Sequence, residues 1–386
     1  MIRYQPLSDF LTEYTLRNDN NQYRPVAVGR YGIRTRDSIY TKELAKDYSK
    51  NKVIYQNTLT VGMGSVQIDI GILTENIRYS VSPAYHTYQI RNINPAYLRY
   101  CLECRNHDMF TRFVKRGSRQ GKSIDLKRWL TYEIPVFDER EQTEIVAVLD
   151  RLTTQVENRH EQLELFEQLV KSRFIELFGN PLINEKGWTV SKLGEYMTLL
   201  TDFSSNGSYE LLDSNVVMYD EPNYAIMVRT TDLESGNLSD GVKYIDRNAY
   251  ELLAKSKIYG GELIMNKIGS AGKIYVMPKI DRPASLGRNA FMFRFDERLN
   301  MTYLYSLLTS DYGTAEIQQY VRGAVTKTIT KESTRSIRII VPPIALQEQF
   351  AAFVEQTDKS KYFIHLAIEY YLLIKKLSWR EKHDYN

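Results

Sequence analysis

Residues 138–181 read DEREQTEIVAVLDRLTTQVENRHEQLELFEQLVKSRFIELFGNP, and this stretch decides the architecture. Its apolar residues fall at Ile145, Leu149, Leu152, Val156, Leu163, Phe166 and Val170, with Arg159 filling the one polar seam position. Steps of 3, 4 and 7 form a heptad seam, which calls for a second helix to cover it. Asp138 and Glu141 have capping-box spacing, and Gly179-Asn180-Pro181 is a stop signal. About forty residues at 1.5 Å each predict a rod of roughly 60 Å, a spacer between two larger blocks.

The rest of the chain supplies the partner helix. VPPIALQEQF (341–350) matches IPVFDEREQT (134–143), with Pro342 against Pro135 and Gln349 against Gln142, both 207 apart. Adding 207 to the seam lands on Phe363, Leu366, Tyr370, Leu373 and Leu377. On this register Gln356 and Lys359 replace Leu149 and Leu152, and Ala345 stands where Asp138 capped the first helix. An antiparallel pairing of the two helices would put the blocks at opposite ends.

The blocks themselves repeat. ELIMNKIGSAGKIYVM (262–277) matches TLTVGMGSVQIDIGIL (58–73), setting Gly269-Ser270 against Gly64-Ser65. Arg229-Thr230 matches Arg34-Thr35, and RGAVTK (322–327) matches RGSRQGK (116–122). Short β-type runs near residues 25–33, 53–61, 66–73, 86–90 and 132–136 predict strands, and residues 95–115 a helix. The chain thus divides into 1–137, 138–181, 182–343 and 344–386: an α+β protein of two globular blocks, each followed by a long helix, with an internal repeat.

Composition sets the outer limits. At 386 residues, 25% charged and 43% hydrophobic, the chain has the length for two or three ordinary cores. No run of eighteen apolar residues and no secretory h-region is present, so a soluble, cytoplasmic protein is expected. The two cysteines, Cys101 and Cys104, cannot build a disulfide framework, and a single C-x-x-C is short of a zinc site.

The net charge of +4 is unevenly spread. Residues 1–137 hold 21 Lys+Arg against 12 Asp+Glu, or +9; residues 138–179 hold 5 against 10, or −5; the remainder balances. The basic block suits a polyanion and the acidic rod suits protein subunits.

No G-x-G-x-x-G follows a strand, and no G-x-S-x-G or metal-binding histidine spacing occurs. GSRQGKS (117–123) has three residues between its glycines where a P-loop has four. This pattern describes a recogniser rather than an enzyme.

The two Gly-rich cationic loops are candidate phosphate contacts: Lys115, Arg116, Ser118, Arg119 and Lys122 in the first block, Arg322, Lys327 and Lys331 in the second. Arg34, Arg36, Gln67, Arg229, Thr230 and Ser270 are candidates for contacts in a DNA groove, and Lys267 and Lys273 are further DNA-contact candidates. A coiled-coil scaffold with protein-binding ends is the alternative reading.

At this point the chain resembles the specificity subunit of type I restriction-modification systems. The resemblance rests on IPVFDEREQTEIVAVLDRL (134–152), SRFIELFGNP (172–181), WTVSKLGEY (188–196), NKIGSAGK (266–273) and VPPIALQEQF (341–350). It implies two target recognition domains joined by two long antiparallel helices as a coiled coil, with a pseudo-twofold internal repeat. Each domain would read one half of a split, asymmetric double-stranded DNA target. Two methyltransferase subunits would dock on the helices and restriction-translocase subunits would join them. AdoMet, ATP and Mg²⁺ would then belong to the partners and no cofactor to this chain. The first block departs from the pattern: it has no counterpart of Trp188, and GMGSVQ (62–67) lacks the lysines found at Lys267 and Lys273.

Overall fold

A computed structural model describes residues 3–29, 32–36, 47–117 and 121–381. The chain forms two compact units, Met1–His160 with His365–Asn386, and Glu161–Ile364.

In the first unit, Arg3–Pro6 pairs antiparallel with Glu133–Val136 and so closes the block on itself. Its main sheet is antiparallel, in the order Leu11–Glu13, His86–Ile90, Thr58–Met63, Ile68–Leu73. Helix Pro95–Cys104 packs against the sheet through Tyr97, Leu98, Cys101 and Leu102, and Asn94 caps it by accepting from the Ala96 and Tyr97 amides.

The single helix expected over residues 95–115 is instead two, Pro95–Cys104 and Asn106–Phe113, followed by strand Val114–Gly117. Asn106 both donates to the Ile68 carbonyl and accepts from its amide, so a bond to the sheet sets the break that periodicity could not show. The predicted strand near residues 25–33 is a hairpin, Val26–Gly29 with Gly32–Thr35, which places Arg34 inside a strand rather than at a turn.

The second unit reuses this plan. Thr189–Lys192 pairs with Arg338–Val341, and a four-stranded antiparallel sheet runs Met197–Asp202, Ala290–Phe295, Leu263–Asn266, Ile274–Val276. A further sheet has no four-stranded counterpart among the described residues of the first unit. It runs Lys243–Ile245, Ala225–Val228, Ala284–Leu286, Lys257–Ile258, with a parallel pair at its centre.

One hydrogen-bonded lock recurs in both units. Gln142 accepts from the Asn94 amide (2.8 Å) and donates to the Phe137 carbonyl, while the Tyr97 hydroxyl donates to the Pro135 carbonyl. Gln347 accepts from the Asn300 amide (2.9 Å) and donates to the Pro342 carbonyl, while Tyr303 donates to the Ile340 carbonyl. Gln142 and Gln347 are 205 apart, as are Pro135 and Ile340.

The lock corrects the register read from sequence. At 205, Phe350, Val354, Thr357, Ile364 and Ile368 match Ile145, Leu149, Leu152, Arg159 and Leu163, and all five are buried or half-buried. Gln349, matched to Gln142 above, is exposed. Phe363, Leu366, Tyr370 and Leu373 form an exposed apolar stripe rather than the seam. Pro343, not Ala345, takes the place of Asp138.

The central helix spans Glu139–Phe178 and the C-terminal helix Ile344–Glu381. At the start of the first, the Asp138 amide donates to the Glu141 carboxylate and the Glu141 amide donates back to Asp138, the capping box expected from sequence. At its end Gly179 turns left-handed (φ +75°), Lys186 donates to the Glu176 and Leu177 carbonyls, and the Trp188 indole donates to that of Phe178.

Within the second unit the helices run antiparallel. Phe174 and Phe178 meet Phe350 at 5.4 and 5.6 Å, while the earlier Leu165 and Phe166 line one groove with the later Ser360 and Ile364. The fold is therefore two globular α/β domains joined by two long antiparallel helices in a coiled-coil arrangement. Among the described residues no helix is long and apolar enough to cross a membrane.

Candidate nucleic-acid interface

In each unit the structure brings together two loops that are far apart in sequence. In the first, Val114–Gly117 and Gly121–Ile124 are paired antiparallel strands rather than a loop, with Arg116 opposite Lys122. Ser118 and Arg119 lie outside the described residues. Lys122 reaches back to donate to the Ser65 carbonyl (2.5 Å), in the turn where the Gln67 carbonyl accepts from the Gly64 amide. Lys115 pairs with Asp125 at 2.6 Å, and that bond holds the Asp125 carboxyl below the usual range. Arg36 lies 5.3 Å over the Tyr48 ring and lines a cavity of 270 Å³ with Gly62, Met63, Ser82 and Tyr85.

In the second unit the Gly269 amide donates to the Lys327 carbonyl, the Ile329 amide donates to that of Lys267, and Ile268 bridges Thr328. The loops carrying Lys267, Ser270, Lys273, Arg322, Lys327 and Lys331 are thereby knitted into one surface.

Their charges are not equally available. Lys267 and Lys331 donate to opposite oxygens of Asp202, at 2.8 and 2.7 Å, and Ser205 adds a third bond. Burial alone would raise the Asp202 carboxyl, but these three hydrogen bonds outweigh it and bring it down to about 2. Ser270, Lys273 and Tyr275 all converge on one Glu234 oxygen at 3.2 Å. Arg229 grips Asp232 through two nitrogens and donates a further bond to the Gly241 carbonyl. Arg322 donates to the Gln319 and Val321 carbonyls. Lys327 is exposed and its ammonium has no partner among the described residues.

Sequence reasoning missed the feature around which several of these residues gather. Two cavities of 340 and 280 Å³ share Phe203, Arg288 and Asn289. Arg229 and Thr230 line the first, where Thr230 opens a short helix, and Lys267 and Tyr209 line the second. Gly287 permits this shape: its amide donates to the Val228 carbonyl, and a Cβ there would stand 2.8 Å from that oxygen. The only sequence signal was the Gly-Arg-Asn turn at 287–289, which has no counterpart in the first block to draw attention to it.

The cleft thus combines cations, an amide and aromatic faces at loop ends, the chemistry that contacts phosphates and base edges. Among the described residues no group of three or more His, Cys, Asp or Glu side chains is placed to hold a metal ion.

Comparison with known proteins agrees with this chemistry. Residues 185–369 match the family model described as "Type I restriction modification DNA specificity domain". No curated protein matches the chain. Among solved structures, the type I restriction-modification system S subunit from M. genitalium is similar at 13% identity, covering 98% of this chain and 94% of that one, with a TM-score of 0.53. A structure described as underlying complex assembly and conformational transition of the type I R-M system is similar at 18% identity, covering 97% of each chain, with a TM-score of 0.51. Residues 185–369 therefore resemble a type I restriction modification DNA specificity domain, and the chain as a whole has the fold of the type I restriction-modification S subunits it is similar to.

Proposed function

We propose that this chain is the DNA-recognition subunit of a type I restriction-modification complex, with one reader in each unit. Each reads one half of a split target, and the two long helices set the unread spacer. The observation that carries this reading is a shared framework with dissimilar loops. The same sheet order and the same Gln–Asn–Tyr lock recur, but the second unit adds a four-stranded sheet and a double cavity. Two readers built this way select different half-sites, so the target is asymmetric. Roughly 60 Å of helix exceeds one duplex turn of about 34 Å, so half-sites a turn apart are within reach.

Exposed Lys327 and the cations of strands Val114–Gly117 and Gly121–Ile124 anchor phosphates and give salt-dependent binding. Methyltransferase subunits dock on the helices, where Leu165 and Leu169 stand exposed on the acidic central helix and Phe363 on the C-terminal one. Restriction-translocase subunits join that complex. AdoMet, ATP and Mg²⁺ serve the catalytic partners, in the cytoplasm, while this chain supplies specificity.

The test is to map methylated adenines genome-wide in cells with and without the chain, then with residues 1–137 exchanged for another such domain. One half-site should change and the other persist. A continuous palindromic target, or a pattern indifferent to the chain, would refute the two-reader scheme.

A further inference from the structure

We infer that Arg288 is a base-reading side chain of the second unit, aimed at guanine, and that Asp213 is a stand-in acceptor that DNA displaces. The inference rests on the DNA-recognition reading above and names the group that does the reading.

Position is the first argument. Arg288 and Asn289 are exposed and line both halves of the double cavity, so a group entering either half meets them. Availability is the second. Arg229 and Lys267, the other cations on the cleft, are bound to carboxylates only 5% and 8% exposed. A buried carboxylate stripped of its cation is strongly destabilising, so these two are wall fittings rather than readers. Asp213, by contrast, is 54% exposed, and an exposed pair contributes little.

Pre-organisation is the third. The Arg288 guanidinium stands 5.2 Å over the Phe203 ring and 5.9 Å from that of Tyr209, which hold its plane. A single bond, Nη2 to Asp213 at 3.0 Å, engages the fork, and its other N–H groups have no acceptor among the described residues. An oriented fork with donors to spare matches the paired O6 and N7 acceptors of guanine in the major groove.

The experiment uses the full chain co-produced with the methyltransferase of its own system, and reads every methylated site by long-read sequencing. Arg288→Ala should relax one guanine in one half-site, with discrimination falling about 5- to 150-fold and the other half-site intact. Arg288→Lys should relax it too, because charge is kept but the fork is lost. Asp213→Asn should keep the target unchanged and methylate it at lower enzyme concentration.

If Arg288→Ala and Asp213→Asn cause the same loss, the pair merely holds helix Tyr209–Asn215, and the inference is overturned. If Arg288→Lys keeps full discrimination, Arg288 is a phosphate anchor, and the inference is again overturned. Failure of the underlying reading looks different: the unaltered chain would then direct no methylation at all.

Discussion

Asp202→Asn separates two accounts of Lys267 and Lys331. Read from sequence, Lys331 is a free phosphate anchor and Lys267 a free DNA-contact candidate; in the structure both are clasped by one buried carboxylate. The depressed carboxyl, about 2 against an ordinary 3.8, is worth about 2 kcal/mol at 1.36 kcal/mol per unit. Asparagine forfeits that and leaves two partly buried ammonium groups facing a neutral amide. Removing one partner of a buried pair costs roughly 3–5 kcal/mol, and the partial exposure of both lysines favours the lower end, about 3 kcal/mol.

The pH dependence carries a definite sign. A carboxylate whose folded value is depressed stabilises above its unfolded value, and that contribution is lost as pH falls through about 2. The gap between wild type and Asp202→Asn should therefore be full above pH 4 and close toward pH 2. Native-state hydrogen exchange on strands Met197–Asp202 and Leu263–Asn266, with urea unfolding at matched pH, reads both quantities. A variant within about 0.5 kcal/mol of wild type, with unchanged protection, would refute the clasp and leave both lysines free for DNA contact.

Three further outcomes follow from the same geometry. Ile364→Ala should cost about 2–3 kcal/mol, because Ile364 is 8% exposed in the helix seam, whereas Phe363→Ala, 69% exposed, should stay within about 0.5 kcal/mol; urea midpoints at constant slope decide. Gln347→Ala should cost about 2–4 kcal/mol by orphaning the Asn300 amide and the Pro342 carbonyl, while Gln349→Ala should be near neutral in the same assay. Lys327→Ala should lower the slope of log affinity against log salt by about 0.9 without changing the sequence bound, measured on DNA with the partner subunits present.

The pair of predictions at 363 and 364 marks where the sequence stopped being legible. The central helix was readable at both ends because its capping box, its heptads and its glycine stop are all local signals. The C-terminal helix was readable as a helix, but its buried face was not. That face contains Gln347 and Thr357, and polar residues argue against a seam unless their bonds are known. Gln347 is bonded to the Asn300 amide, and the Thr357 hydroxyl donates to the Phe353 carbonyl one turn back. Meanwhile Phe363, Leu366, Tyr370 and Leu373 offered a cleaner apolar pattern on the exposed side. Periodicity reports where apolar residues stand, not which face another helix covers.

The candidate site failed in a related way. Spacing and the repeat singled out the cationic segments, but neither could show that Asp202, Glu234 and Asp232 hold Lys267, Lys273 and Arg229. Ion pairing between residues as distant in sequence as Asp202 and Lys331 depends on sheet topology, which no local pattern encodes.

These corrections bear on how specificity can vary while the scaffold stays fixed. The lock residues sit at the start of one helix and against the strand leading into the next: Asn94, Tyr97 and Gln142 in one unit, Asn300, Tyr303 and Gln347 in the other. They tie each core to its long helix without involving the cleft. The cleft residues come from other segments, Phe203 to Thr230 after the first strand of the main sheet and Gly287 to Asn289 before its last. Arg36, beside the cavity of the first unit, comes from the corresponding segment between Leu11–Glu13 and Thr58–Met63. Apart from Lys267 and Ile268, both cavity linings are thus carried largely on excursions from a framework whose lock closes independently of them. On the function proposed above, changes in those excursions would alter the bases selected while the helices, and with them the spacer, stay the same.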